Sequence, residues 1–295
     1  MRFSLRQLEV FQAVAQGESV SGAARALAMS QSAVSGSLAE LERQFDVELF
    51  DRIGKRLRLN ERGHALRARV EALLAQALEL EGQLANRSET GSLRVGATLT
   101  VGNYLTAPLL ADFLREAPNA RVSLELDNTA EIARKVLNFE LDVALVEGEL
   151  QDALLDVSSW RKDELVVFCS PEHAFARKRS LSDRDLLSAE WIVREPGSGT
   201  RQAFDHAMHG LLPKLRIGFE LRETEAIKSA VKAGLGVGCV SRIALDEAFR
   251  LKSLVPCRVP SRDFRRQFYS VVHRQKYRSR AIQRWLDVCE RSRQR

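Results

Sequence analysis

Residues 30–44 read SQSAVSGSLAELERQ and predict a helix with two contrasting faces. Ser30 can cap this helix, because a serine hydroxyl accepts a hydrogen bond from a free backbone N–H of the first turn. Val34, Leu38 and Leu41 recur at helical spacing and are expected to face a core. The opposite face carries the small, neutral side chains Gln31, Ser32, Ser35 and Ser37. Such a face fits a DNA major groove and reaches base edges, although an ordinary polar surface helix is the alternative.

The preceding residues predict two further helices and a tight turn. Ser4 can cap a first helix that ends at Gly17, with apolar residues at helical spacing in between. Residues 19–27 predict a short, alanine-rich second helix, and residues 28–29 form the turn into the helix of residues 30–44. Two short helices joined by such a turn are typical of the helix-turn-helix motif, whose second helix reads DNA.

A basic hairpin is predicted after these helices. Residues 49–59 alternate apolar and basic side chains around Gly54, which is typical of a β-wing beside a helix-turn-helix. Arg52, Lys55 and Arg56 would lie near its tip and reach phosphates beside the groove. A solvated hairpin without DNA contacts is the alternative.

These motifs occur in the order found in a known family. The opening LRQLEVFQAV, the SGAARAL segment, SQSAVSGSLAELE, LFDR and the basic wing together resemble the N-terminal part of LysR-type transcriptional regulators. The resemblance continues through nearly the whole chain. It implies a winged helix-turn-helix DNA-binding domain over residues 1–60, and a sequence-specific transcriptional regulator that binds double-stranded promoter DNA.

Residues 61–88 predict one long helix with a narrow apolar seam. Positions spaced alternately by four and three residues are apolar, namely Leu66, Val70, Leu73, Ala77, Leu80 and Leu84. Such a seam indicates a coiled-coil linker that pairs with a second helix, most simply from another copy of the chain. We therefore expect a homodimer, or a tetramer built from dimers, and packing of the helix on its own domain is the alternative.

The remainder, residues 89–295, predicts an α/β effector-binding domain. Buried strands alternate with helices in two successive series, which indicates a mainly parallel sheet. The resemblance implies a periplasmic-binding-protein-like domain of two lobes. The fold class is therefore α/β, with an all-α-type winged helix-turn-helix in front. Lobe I is expected at about 89–163 and 268–295, and lobe II at about 164–267.

Three segments follow predicted strands at the sheet edge where ligands bind in such folds. Their candidate effector-binding residues are Thr98, Thr100, Asn103, Glu147, Ser198, Gly199 and Thr200. Free N–H groups and hydroxyls at helix starts attract a small anion, although helix capping by Ser198 and Thr200 is the alternative. Glu147 would repel an anion unless a proton is shared or a cation intervenes. This favours a protonatable oxyanion or a ligand with an amino group.

A second level of resemblance concerns the effector. The segments TLTVGNYLTAPLL, ALVEG, ELVVF, REPGSGTR, EAIKSAVKAGLGVGCVSR and HRQKYRS resemble the branch of the family that regulates sulfite reduction and sulfur assimilation. This resemblance implies sulfite or a related small sulfur oxyanion as effector. The implied contacts are Thr98, Thr100, Glu147, Ser198 and Thr200.

Composition favours a regulator over several other classes. The 295 residues have a formal net charge of +6 and are 45% hydrophobic, which suits two or three domains and a nucleic-acid partner. The four cysteines contain no C-x-x-C pair, so neither a zinc site nor a disulfide framework is expected. No signal peptide, membrane span, catalytic motif or cofactor motif is visible. We therefore expect a cytoplasmic, non-enzymatic protein without cofactor or metal.

Two other functions remain open from the sequence. One is an architectural DNA-binding protein without an effector. The other is a small-ligand-binding protein or enzyme with an accessory N-terminal domain.

Overall fold

The computed structural model describes residues 1–53, 56–84 and 92–293. Over these ranges the helices are α1 Leu5–Gly17, α2 Val20–Ala26, α3 Gln31–Phe45, α4 Glu61–Leu84, α5 Leu99–Tyr104, α6 Thr106–Glu116, α7 Thr129–Leu137, α8 Asp183–Ser188, α9 Gly199–Ala207, α10 Thr224–Lys232, α11 Asp246–Arg250 and α12 Arg280–Ser292. The strands are β1 Phe50–Ile53, β2 Arg56–Leu59, β3 Ser92–Thr98, β4 Arg121–Asp127, β5 Val143–Glu147, β6 Leu155–Cys169, β7 Glu190–Arg194, β8 Arg216–Leu221, β9 Val237–Ser241, β10 Val255–Cys257 and β11 Arg265–His273.

The N-terminal part is a winged helix-turn-helix, as predicted. Helices α1, α2 and α3 each begin behind a serine whose hydroxyl accepts a backbone N–H of the first turn, at Ser4, Ser19 and Ser30. Between α2 and α3 the chain reverses at Ala28, whose φ of 52° lies in the left-handed region. The antiparallel strands β1 and β2 form the wing. Phe11 and Phe50 meet edge to face in the shared core, with their ring centroids 5.6 Å apart.

The C-terminal part is built on one mixed sheet with the strand order β4-β3-β5-β11-β6-β9-β7-β8, and β10 pairs with β6. Strand β3 is parallel to β4 and β5, and β7 is parallel to β8 and β9. Strands β6 and β11 run antiparallel to each other and to their other neighbours. The expectation of a mainly parallel sheet was therefore wrong, because two long antiparallel strands join the two parallel halves.

Two large cores lie on either side of this junction. One is formed by residues from 93–160 and 268–289 and surrounds Trp285, and the other is formed by residues from 165–264 and surrounds Trp191. Strand β6 contributes to both cores, whereas β11 contributes only to the core around Trp285, and the pairing of the two strands shifts register between Phe268 and Tyr269. The junction between the lobes is thus continuous sheet.

A buried group of charges joins α4 to the effector-binding part, and we call it the linker cluster. It consists of Glu71 on α4 together with Arg94, Asp142 and Lys276. The Lys276 ammonium pairs with Glu71 and lies 2.7 Å from Asp142 Oδ1, and Arg94 Nη2 lies 2.6 Å from the same oxygen. The Lys276 side chain is 3% exposed and those of Glu71 and Asp142 are 9% exposed, so the two ion pairs of Lys276 are held away from water.

Candidate DNA and effector sites

The predicted DNA-reading face of α3 is exposed and free of core contacts. Val34, Leu38 and Leu41 are buried on the opposite side of the helix. The candidate residues Ser30, Gln31, Ser32 and Ser35 are all exposed. Ser30 Oγ also accepts the N–H of Ala33 at 3.1 Å, so its first role is to cap α3. This geometry leaves a slender neutral edge at the start of α3, which is the end that meets base edges in helix-turn-helix proteins.

Of the three candidate residues in the wing, the structure describes the side chain of Arg52. Arg52 is exposed on β1 and its backbone pairs with Leu57 on β2. The backbone of Arg56 pairs with Ile53. Lys55 and the side chain of Arg56 lie outside the described residues.

The candidate dimerisation seam divides into two parts along α4. Val70 is 3% exposed and, with Leu66 beside it, belongs to the core of the N-terminal part. The prediction of both as partner contacts is therefore corrected: the first turns of α4 pack behind the wing and close their own domain. Ala77 is half-buried, whereas Leu73, Leu80 and Leu84 are exposed, with Leu84 at 80%. The apolar positions open to a partner thus begin at Leu73.

The candidate effector residues meet around the carboxylate of Glu147, which ends β5 and is 1% exposed. Its Oε1 accepts the backbone N–H of Thr100 at 2.8 Å, and its Oε2 accepts the Thr200 hydroxyl at 2.7 Å. Thr98 Oγ1 accepts the backbone N–H of Glu147 at 3.2 Å. Ser198 Oγ caps α9 by accepting the N–H of Thr200 at 3.2 Å. The capping alternative thus holds for Ser198, whereas the hydroxyls of Thr98 and Thr200 hydrogen-bond to Glu147 instead.

Gly199 is required at this point by close backbone packing. A Cβ on Gly199 would lie 2.0 Å from the carbonyl oxygen of Glu147, which no side-chain rotation could relieve. Its N–H donates to Thr129 Oγ1 at 3.2 Å, and that hydroxyl donates to the same carbonyl of Glu147 at 2.6 Å. Asn103 does not join the group, because its side chain is exposed on α5.

Two charged residues that the sequence did not point to complete the site. Arg266 on β11 places Nη1 2.8 Å from Glu147 Oε2 and Nε 2.6 Å from Asp163 Oδ2. The Arg266 and Asp163 side chains are 4% and 2% exposed. Ser241 Oγ donates to the other Asp163 oxygen at 2.8 Å. We call Thr100, Glu147, Asp163, Thr200 and Arg266 the cleft cluster.

The cleft cluster sets the charge of Glu147. Burial raises the pKa of this carboxyl, but the charge of Arg266 and the hydrogen bonds from Thr200 and Thr100 outweigh burial, so its pKa lies below the ordinary value. Glu147 is therefore ionised at neutral pH and acts as a hydrogen-bond acceptor.

The two lobes also touch through backbone and side chains around the cluster. The N–H of Ala130 donates to the carbonyl of Gly197 at 3.2 Å, and the Glu149 N–H donates to Gln202 Oε1 at 3.1 Å. The Tyr104 hydroxyl, from the α5 side, donates to Glu225 on α10. The cleft is thus bridged by the chain's own groups on several sides.

Two family models match the chain over almost its full length. The bacterial regulatory helix-turn-helix protein of the lysR family matches residues 5–64, and the LysR substrate binding domain matches residues 86–294. The chain belongs to the LysR family of transcriptional regulators. This LysR-type regulator therefore combines a DNA-binding helix-turn-helix with an effector-binding domain, and its homologues are regulators rather than enzymes.

Relatives and solved structures agree with this assignment. The LysR-type regulator is 40% identical over 290 residues to "Uncharacterized HTH-type transcriptional regulator YeiE" of Escherichia coli K12, with 98% of each chain covered. A full-length OxyR variant from Pseudomonas aeruginosa has the same fold, with a TM-score of 0.74 at 23% identity over 98% of this chain and 95% of that one. The CcmR regulatory domain of Synechocystis PCC6803 in complex with 2-PG gives a TM-score of 0.64 at 27% identity, over 69% of this chain and 98% of that one.

Neither a membrane-crossing helix nor a metal-binding group occurs in the described part of this LysR-type regulator. In residues 1–53, 56–84 and 92–293, no helix is long and apolar enough to cross a membrane. Over these ranges, no three His, Cys, Asp or Glu side chains are grouped so as to hold a metal ion. All four cysteines are buried free thiols, and Cys169 Sγ lies 3.5 Å from Cys257 Sγ.

Proposed function

We propose that this regulator binds promoter DNA in the cytoplasm as a homodimer, or as a tetramer built from dimers, under the control of a small anion bound in the cleft. The proposed base-reading residues are Ser30, Gln31, Ser32 and Ser35, with Arg52, Lys55 and Arg56 on phosphates. The proposed dimer seam runs from Leu73 through Ala77 and Leu80 to Leu84. The proposed effector site is the cleft cluster with Thr98, Ser198 and Gly199 around it.

One observation carries the effector proposal. The donors that would hold a small oxyanion already converge on one buried point, where they hold the carboxylate of Glu147. A backbone N–H, a hydroxyl and a guanidinium directed at one place are a general means of anion recognition. By resemblance, sulfite or a related sulfur oxyanion is the proposed effector. The regulatory domain of CcmR forms a complex with 2-PG, which supports ligand binding by this type of domain.

The effector proposal is tested by thermal unfolding of the full chain with sulfite, thiosulfate, sulfate and unrelated organic acids. A ligand at a concentration of 100 times its Kd stabilises the folded state by about 2.7 kcal/mol. Thr200→Val should abolish the rise in Tm because it removes a hydroxyl of the cleft cluster. The control Ser182→Ala removes the cap of α8, which lies outside the cluster, and should keep the rise. A Tm unchanged by every anion would favour an architectural DNA-binding protein instead.

DNA recognition is tested by binding to a promoter fragment and to unrelated duplexes over a range of salt. Gln31→Ala should relax base preference at one position by about 1–3 kcal/mol. Arg52→Ala should weaken binding to all sequences and lower the salt dependence. The control Arg177→Ala changes an exposed arginine of the effector-binding domain and should do neither. Unchanged promoter binding by both test variants would refute the assignment of α3 and the wing.

Dimerisation through α4 is tested by sedimentation. Leu80→Ser should shift the population toward monomer and weaken promoter binding, because half-sites are read by paired heads. The control Leu251→Ser changes an exposed leucine on the effector-binding domain and should leave the dimer intact. A dimer of unchanged stability in Leu80→Ser would refute the seam.

We propose that the effector changes the closure of the two lobes. This change would move the linker helices and alter the distance between the two DNA-binding domains of a dimer. Crystal forms with and without effector test this coupling directly. Identical spacing of the heads in both forms would refute it.

A further inference from the structure

We propose that the cleft cluster selects a small oxyanion that still carries one proton, and discriminates against fully ionised anions such as sulfate. Glu147 is the residue that determines this specificity. The inference rests on the effector function proposed above and names the form of the ligand that the site accepts.

Charge within the cleft cluster favours a singly charged ligand. Arg266 is its one cation and lies between the carboxylates of Glu147 and Asp163, so these three side chains sum to −1. Arg194, which also lowers the pKa of Glu147, is itself paired with Glu195 at 2.8 Å and adds no net charge. A further charge of −2 beside these buried side chains would be opposed strongly, because burial weakens dielectric screening.

Hydrogen bonding at Glu147 leads to the same conclusion. This carboxylate is ionised and buried, and an ionised carboxylate can only accept. A fully ionised oxyanion also only accepts, so two such groups would meet without a proton between them. An oxyanion with an acidic O–H supplies that proton and can donate to Glu147, beside the hydrogen bonds that this carboxylate already accepts from Thr100 and Thr200.

A second, independent observation indicates that the site takes an acceptor. Arg266 Nη2 is buried and has no hydrogen-bond partner among the residues that the structure describes. Buried guanidinium groups normally have all their donors satisfied. An oxygen of the ligand at this nitrogen would satisfy it, so the ligand must present both an acceptor for Arg266 and a donor for Glu147. Hydrogensulfite has both, whereas sulfate at neutral pH has only acceptors.

The experiment is isothermal titration of the full chain with sodium sulfite, sodium sulfate and glycine at about pH 6 and about pH 8. We expect sulfite to bind about tenfold or more weakly at the higher pH, since binding that requires one proton is linked to pH. Sulfate should bind about 100-fold more weakly than sulfite at the lower pH, and glycine should not bind. These readouts use the unmodified chain and so do not depend on the folding of a variant.

Glu147→Gln tests the residue itself. Its amide can donate as well as accept, so sulfate affinity should rise and the pH dependence of sulfite binding should fall to less than about threefold. Glu149→Gln is the matched control, because it makes the same change at an exposed position two residues away and should leave both properties as they are. The melting curve of each variant verifies its fold.

The outcomes separate the two proposals. Sulfite and sulfate binding with equal affinity, or sulfite binding equally well at both pH values, would overturn the proton requirement and leave the effector proposal standing. Glycine binding in place of sulfite would also overturn it, since the donor would then be an ammonium group. No binding of any anion by the unmodified chain or by Glu147→Gln would overturn the effector proposal itself.

Discussion

Lys276→Met is expected to weaken the effector-binding domain strongly, because it breaks the linker cluster without removing the carboxylates. Lys276 is 3% exposed and pairs with Glu71 and Asp142, each 9% exposed at the side chain. Only Arg94 would remain to compensate two buried negative charges. Removal of one member of a buried ion pair costs about 3–5 kcal/mol. For a domain of this size, that loss corresponds to a fall in Tm of about 6–20 °C.

The assay is urea unfolding followed by tryptophan fluorescence. All three tryptophans, Trp160, Trp191 and Trp285, lie in the effector-binding domain, so their signal reports its unfolding and not that of the helix-turn-helix. The control is Arg278→Met, which breaks an ion pair with Asp156 whose side chains are 39% and 42% exposed. A pair this exposed contributes about 1 kcal/mol or less. Equal losses in the two variants would refute the importance of burial in the linker cluster.

Three further predictions follow from contacts described above. Gly199→Ala should lower the Tm by several degrees, because its Cβ would lie 2.0 Å from a backbone oxygen. The control Gly82→Ala on α4 adds a Cβ in open space and should stabilise the helix by up to about 1 kcal/mol. A higher Tm for Gly199→Ala would contradict this packing. The four cysteines should react with Ellman's reagent only after denaturation, because every thiol is buried and burial raises the pKa of Cys239 and Cys289. One thiol that reacts within seconds in the folded chain would refute the protection of the cysteines. Glu147 has a lowered pKa, so its pairing with Arg266 stabilises the fold above the unfolded pKa of about 4.3, and this stabilisation is lost as pH falls through the folded pKa. The free energy of unfolding, followed by fluorescence, should therefore fall less steeply with decreasing pH in Glu147→Gln than in the unmodified chain. Equal slopes would count against this contribution of Glu147.

The helix-turn-helix was predictable because its signals are local. Ser4, Ser19 and Ser30 each cap the helix that follows, and the apolar residues behind Ser30 recur at helical spacing. A cap and a helical period are read within a few residues, without knowledge of distant parts of the chain.

The prediction for α4 was limited because a periodic pattern contains only local information. The period of the seam shows which residues share one face, but not where along the helix that face passes from its own domain to a partner. Val70 obeys the period and is nevertheless buried in the core of the N-terminal part, because α4 starts directly behind β2 and packs on α1. Only the three-dimensional arrangement separates Val70 from Leu73.

Arg266 and Asp163 could not be found from local patterns. They lie about a hundred positions apart in sequence, on β11 and β6, and meet only because these strands pair antiparallel across the middle of the sheet. A local pattern does not indicate β6 over its full length Leu155–Cys169, because its first ten residues mix charged and apolar side chains. Glu147 was found because it stands at the end of a wholly buried strand, whereas the position of its counterion Arg266 depends on the topology of the sheet.

The position of α4 has a consequence for exchanging modules between regulators. Its first turns complete the hydrophobic interior of the head through Val70, and the very next residue, Glu71, is ion-paired to the sensory half. A chimera joined anywhere inside this helix would deprive one half of a native neighbour. A successful chimera should therefore contain the whole of α4. When α4 is joined to a foreign DNA-binding domain, that domain must offer an apolar surface for Val70, and when it is joined to a foreign effector-binding domain, that domain must offer charged partners for Glu71.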